Sequence, residues 1–365
     1  MAILNPKTRS YIQRILPYGI IWLLISLVFF IVEIGVTGAI PEGSATRISL
    51  TLGVFLFAML SVTIVGLLVG MMETFFLNPR LSKRSFLQKI FFKLIFYTLL
   101  FIVITIILYP LAASMEMKTG FFDPQVWEKF QGYIVSWTNI SSMMQLAVML
   151  IVSLFYAEIR DNIGHGVLRN FFSGKYHHPV EEKRVFMFLD MNSSTTIAEE
   201  LGHIKYFELL KSYYRDLSDA IIYHGGEIYQ YVGDEIVITW PFKKALKDQQ
   251  CLNCFFAMKH DLQKKAKWYQ ENYRMIPSFK AGAHAGLVTT GEIGVHKQDI
   301  IFTGDVLNTT ARIQSLCNTC NEDFIISESL LKALSPLKGF ETIPLGKTEL
   351  RGRKNLLKLF AIHKE

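Results

Sequence analysis

Two aspartates stand at the ends of apolar runs. In RVFMFLDM, Asp190 follows Val185–Leu189, whose length and character predict a buried strand. In IYQYVGDEIVITW, Asp234 sits at a Gly-Asp between two further apolar strands, the tip of a predicted hairpin. If these strands are neighbours, the two carboxylates converge. Close carboxylates in a low-dielectric site repel unless a cation lies between them. A hard divalent ion such as Mg²⁺ suits the pair, because it takes one or two carboxylates together with substrate phosphates. The polar turn after Asp190 (Met191, Asn192, Ser193, Ser194 and Thr195) offers backbone N–H groups near a helix start, where phosphate binds. Two ions there could activate an attacking oxygen and neutralise a leaving one. An aspartate is also ordinary in a hairpin turn, so the tip alone does not choose between the readings.

Further along, in DIIFTGDVLNTTARIQS, Asn308 and Arg312 are four apart and share a face if the segment is helical. An amide beside a guanidinium suits a sugar ring and a polyphosphate, although for that spacing alone a plain surface helix is the better account. The elements between these residues have local signals of their own. Thr196 and Glu199 form a capping box that predicts a helix start. Ile204, Phe207, Leu210, Leu217 and Ile221 recur at helical spacing, and Gly225-Gly226 is a stop signal. A second helical stretch is expected over Lys244–Glu271.

Taken together and in order, FLDM, YVGDE and GDVLNTTAR resemble the class III nucleotidyl cyclase catalytic domain. AGAHAGLVTTGEIG resembles the Gly-rich, His-containing strand and turn of that family, and TELRGRKN resembles its closing basic hairpin. The resemblance implies an α/β ferredoxin-like core that works as a homodimer, with the active site across the interface. It implies that Asp190 and Asp234 bind two metal ions, Mg²⁺ or Mn²⁺, and that Asn308 and Arg312 stabilise the transition state. Met191, Asn192, Ser193 and Ser194 would hold phosphate. Arg351 would touch phosphate too, at a position where Lys is usual. The ribose 3′-hydroxyl would attack the α-phosphate and pyrophosphate would leave. Since one chain carries both the aspartates and the Asn/Arg pair, two copies would complete two sites.

Two positions depart from the family pattern. Gln230 stands where adenylate cyclases usually have Lys, and Ile301 where they usually have Asp or Thr; guanylate cyclases typically have Glu and Cys there. Gln donates and accepts, so Gln230 fits either base, whereas Ile301 can only pack. ATP is the expected substrate because adenylate cyclases dominate similar membrane-anchored forms. The alternatives are a guanylate cyclase and a catalytically silent, cyclase-like membrane sensor. A diguanylate cyclase would account for VGDE but not for Asn308, Arg312 or the closing hairpin.

The first half of the chain is of another kind. Of 365 residues 51% are hydrophobic and only 19% charged, with a net charge of +7; the mean hydropathy is +0.29. Tyr18–Ile40, Ile48–Met72, Ile90–Ser114 and Tyr133–Ala157 each exceed the about 20 residues needed to cross a bilayer as a helix. The first is too long for a cleavable signal peptide and lacks a cleavage site. Lys7, Arg9 and Arg14, then Arg80, Lys83, Arg84 and Lys89, place both termini on the cytoplasmic side of a multi-pass protein of the cytoplasmic membrane. No aromatic-basic face suggests nucleic acid; the expected partners are the lipid bilayer, the nucleotide and a second copy. The division expected is 1–157 for the four-span domain, 158–182 for a coupling helix and linker, and 183–365 for the cytosolic catalytic domain. Glu33 is expected near a hydrated interface, Lys93 to snorkel, and the polar stretch SWTNISSMMQ to bond between helices. Adjacent His177 and His178 share no helix face and read as linker surface. CLNC and CNTC could hold zinc; free thiols are the expected state, in keeping with a reducing compartment.

Overall fold

The computed structural model describes residues 6–37, 47–49, 51–81, 84–163, 174–294, 299–348 and 356–365. The chain divides into two compact units, Thr8–Gly164 and one that includes His165–Glu365.

The first unit is helical. Its elements are α1 (Pro6–Thr37), α2 (Leu52–Met72), α3 (Phe86–Met117), α4 (Pro124–Ile134) and α5 (Trp137–Ile163). Among the described residues four segments are long and apolar enough to cross a membrane: Tyr11–Gly35, Leu52–Leu81, Leu87–Met117 and Trp137–Arg160. Leu56, Leu60, Val103 and Ile151 are among many large apolar side chains turned outward, as expected of helices solvated by lipid. The fourth expected span begins at Trp137 rather than Tyr133. The preceding residues form α4, which Asp123 caps by accepting from the Gln125 N–H at 2.9 Å. Small residues let α1 and α2 meet closely. A Cβ on Gly66 would lie 2.7 Å from the Trp22 ring, and one on Gly70 would lie 2.9 Å from Tyr18. Trp22 donates its indole N–H to the buried Ser153 hydroxyl of α5 at 2.8 Å.

Three polar expectations resolve differently. Glu33 is ion-paired with Arg47, both partly exposed. SWTNISSMMQ bonds locally: Ser142 to the Thr138 carbonyl at 3.0 Å and Asn139 to the Ile134 carbonyl at 2.8 Å. Lys93 does not snorkel. Its ammonium bonds Glu73 at 2.7 Å and Asn78 at 3.1 Å, and Tyr97 donates to the other Glu73 oxygen at 2.8 Å. Glu73 is 1% exposed and opens a π-helical turn, Glu73–Leu77, that carries α2 on to Leu81. Removing one partner of a buried pair strands the other charge, so Glu73→Ala should lower the stability of the detergent-solubilised chain by about 3–5 kcal/mol. Replacing Glu73 and Lys93 together by Leu should recover most of that loss. A single variant that melts like the parent would contradict the pairing.

The second unit is built on an eight-stranded sheet. Its elements are β1 (Val180–Met191), α6 (Ser194–Leu201), α7 (His203–Tyr223), β2 (Glu227–Val232), β3 (Glu235–Pro241), α8 (Phe242–Leu246), α9 (Gln250–Lys264), α10 (Ala266–Tyr273), β4 (Phe279–Ile293), β5 (Asp299–Thr303), α11 (Asp305–Cys320), β6 (Phe324–Ser327), α12 (Glu328–Leu334), β7 (Phe340–Thr348) and β8 (Leu357–Lys364). The order is β2-β3-β1-β4-β6-β8-β7, with β5 paired to β4. β1 is central, antiparallel to β3 (Leu189↔Ile236) and to β4 (Asp190↔Lys280). Val185, Met187 and Leu189 face the core formed with α7 and α9, while Phe186 and Phe188 face Val306 of α11. A strand covered on both faces needs a continuous apolar run, and that is the origin of VFMFL.

Helix boundaries depart from the sequence reading. No Thr196 capping box forms: α6 starts at Ser194 after Ser193, whose backbone is left-handed (φ +55°) and whose side chain makes no cap bond. Gly202 (φ +72°) then separates α6 from α7. Leu210, Leu217 and Ile221 are buried as expected, but Ile204 and Phe207 are 82% and 59% exposed. The stretch from Lys244 is split into α8, α9 and α10, with Asp248 and Gln249 left-handed at the first break.

Candidate active site

Asp190 is the penultimate residue of β1, and Asp234 occupies the turn between β2 and β3 after Gly233 (φ +63°). The β1–β3 pairing that ends at Leu189↔Ile236 brings the two carboxyl side chains next to one another. Burial, then Asp234, then Glu235 push the Asp190 carboxyl up to about 7. Burial and Asp234 raise Glu235 as well. In the metal-free fold Asp190 therefore keeps a proton that the unfolded chain releases near about pH 3.9. Between about pH 4 and about pH 7 the folded state binds the extra proton, so this group's contribution to stability is lost as pH rises through that window. Asp190→Asn removes that loss: with chelator present, its melting midpoint should gain on the wild type as pH is raised. Parallel pH profiles would contradict the assignment.

The turn after Asp190 is pinned to the strand before β4. The Asn192 N–H donates to the Ser278 carbonyl and its side-chain amide to the Ser278 hydroxyl, each at 2.9 Å. A cavity of about 510 Å³ opens here, lined by Asp190–Thr195 together with Lys280, Gln314 and Asn318. Lys280 was not singled out from the sequence. It lies directly opposite Asp190 in the β1–β4 register, which only the pairing reveals. Gln314 and Asn318 come from α11, four apart.

Asn308 and Arg312 also lie on α11, on the side away from Val306, Thr309, Thr310, Ile313 and Cys317, which are buried. Asn308 is exposed and Arg312 half-buried. Neither lines the cavity beside Asp190. Gln230 is exposed on the edge strand β2, beyond a bulge that begins at Ile228, and Ile301 is half-buried on β5. Their neighbours Tyr229 and Phe302 touch, with ring centroids 4.9 Å apart, so the two strands meet. Arg351 lies outside the described residues.

The donor set fits a hard divalent ion. Two carboxyl groups lie side by side, one of them pushed up to about 7 by burial and its acidic neighbours, next to a cavity lined by the turn 191–195. Among the described residues no group of three or more His, Cys, Asp or Glu forms a metal cage, so substrate oxygens would have to complete the coordination, as Mg²⁺ permits. All four cysteines are free, and Cys251 and Cys254 are buried in α9; burial raises Cys251 to about 12, which lowers its reactivity as a thiolate.

Residues 177–364 match the adenylate and guanylate cyclase catalytic domain family. The chain belongs to that family. Among relatives, it is 36% identical over 209 residues to Adenylate cyclase 2 of Rhizobium meliloti (strain 1021), covering 57% of this chain and 58% of the relative. It is 24% identical over 190 residues to an adenylate cyclase of Anabaena cylindrica, covering 49% and 36%. The chain thus spans little more than half of the first relative and about a third of the second. In fold, it superposes on a bacterial light-regulated adenylyl cyclase with a TM-score of 0.52 at 16% identity, over 59% of this chain and 63% of the other. The cyclase-domain match begins just before β1 and ends at the last residue of β8.

Proposed function

We propose that the protein is a membrane-anchored adenylate cyclase that converts ATP to cyclic AMP and pyrophosphate at the interface of a homodimer. The observation that carries this reading is the contact of Asp190 with Asp234 beside the turn 191–195. Two Mg²⁺ or Mn²⁺ ions held there would lower the pKa of the ribose 3′-hydroxyl and neutralise the leaving pyrophosphate. The remaining work falls to the chain's own groups. The turn amides other than that of Asn192, which is held by Ser278, and Lys280 grip phosphate oxygens. Arg312 offers a guanidinium fork where negative charge grows, and Asn308 orients the sugar. Gln230 and Ile301 face the base. Arg351 adds charge to the phosphates.

A second copy supplies the missing half. Asn308 and Arg312 stand outside the cavity that Asp190 lines, so within one chain the site is split. Ile204 and Phe207 lie on one side of α7, and Tyr231 and Val232 of the hairpin are also exposed; apolar surface of this kind suits a partner. The four apolar helices support membrane anchoring; a cytoplasmic membrane with both termini cytoplasmic is the reading that Lys7, Arg9 and Arg14 and Arg80, Lys83, Arg84 and Lys89 favour. Purified protein given ATP and Mg²⁺ should release cyclic AMP and pyrophosphate in equal amounts. Release of inorganic phosphate and ADP instead would sink the reading.

A further inference from the structure

Both aspartates sit on thinly supported backbone. Asp190 ends a strand and enters a turn. Asp234 tips a hairpin whose outer strand, β2, is the sheet edge and bulged. A free hairpin tip opens easily, yet a divalent ion needs its ligands at a fixed separation. One helix reaches both elements. The Tyr206 hydroxyl of α7 lies beside Ser194, in the turn after Asp190. Eight residues on, about 12 Å along the helix axis, the Tyr214 hydroxyl donates to the carbonyl of Gly233, the residue before Asp234. The Tyr214 and Tyr231 rings lie 4.5 Å apart, and the Ser218 hydroxyl one turn further along α7 donates to the Tyr214 carbonyl. The helix itself is seated by Leu209, Tyr213 and Leu217, each 0% exposed. Neither Tyr206 nor Tyr214 lines the cavity.

We propose that α7 is a brace that sets the separation of the two carboxylates, Tyr206 holding the turn after Asp190 and Tyr214 holding the hairpin tip before Asp234. Both are positioning residues. A phenol is needed at 214 because the ring alone packs on Tyr231, whereas the hydroxyl ties down the tip carbonyl. The proposal rests on reading Asp190 and Asp234 as the metal pair.

The test uses the full chain with Tyr214→Phe and Tyr206→Phe. Amide exchange of the 228–238 hairpin is measured without metal, and turnover is measured against Mg²⁺ concentration. In Tyr214→Phe the hairpin should exchange about fivefold faster, the change a lost neutral hydrogen bond brings. Its Mg²⁺ midpoint should rise by a similar factor at an unchanged nucleotide KM, with exchange in β1 unaltered. Tyr206→Phe should move the metal midpoint and leave hairpin exchange alone. Unchanged hairpin exchange in Tyr214→Phe overturns the brace; so does faster exchange with an unmoved metal midpoint. Exchange is read without turnover, so a wild type that makes no cyclic nucleotide defeats the catalytic reading while the hairpin result still judges the brace.

Discussion

Arg312→Ala should lower product formation by about 10²- to 10³-fold, the loss expected when a preorganised donor to developing charge is removed. Its effect should fall on kcat far more than on KM, as the transition-state role proposed for the guanidinium requires. Asp234→Ala should be at least as severe, because the proposed metal pair loses a ligand. The two inactive proteins should nevertheless rescue one another. In a mixed dimer one of the two sites carries both lesions and the other carries none. With random exchange of subunits half of the dimers are mixed, each with one intact site of two, so activity returns to about a quarter of wild type. The structural reason is the separation noted above: Asp190 lines a cavity that Asn308 and Arg312 do not. Mixtures as inactive as their components would place all four groups in one chain's site.

Gly282→Ala should be the most damaging single-methyl change in the cyclase unit. α11 crosses β4 so closely that a Cβ at Gly282 would lie 2.3 Å from the Gln314 backbone nitrogen and 2.7 Å from its Cα. Backbone cannot rotate out of the way as a side chain can. The helix must lift, at a cost of about 3 kcal/mol or more, and Asn308, Arg312, Gln314 and Asn318 move with it. Thermal unfolding and turnover should fall together. By contrast Gly286→Ala meets only the Val306 side chain, at 2.5 Å, and should be milder. Equal effects at the two glycines would contradict the close helix crossing as the cause.

The parts of the fold that rest on local pattern could be read from the sequence. Four apolar runs became four long helices, and the run before Asp190 became a strand buried on both faces. The meeting of Asp190 with Asp234 followed once two strand ends were assumed adjacent. What escaped was set by tertiary register. Lys280 has no local signal; it becomes a site residue because β4 pairs it with Asp190. Ile204 and Phe207 have helical spacing, but Gly202 starts a new helix whose first turns leave them outside the core. Lys93 looked like a snorkelling end residue because its partner, Glu73, lies on another helix. The capping-box pattern at Thr196 was outweighed by Ser193, whose left-handed backbone begins the helix earlier.

The central claim is that Asp190 and Asp234 serve phosphoryl transfer from ATP. The measurement that tests it most directly is quantification of cyclic AMP and cyclic GMP made by the purified full chain, offered ATP and GTP separately with Mg²⁺ or Mn²⁺, beside Asp234→Ala. Cyclic AMP from ATP that vanishes in Asp234→Ala is the predicted result, and it would show that Gln230 and Ile301 accept adenine. Cyclic GMP alone would keep the chemistry and reverse the base. No cyclic product from either nucleotide, in a folded dimer, would contradict the account.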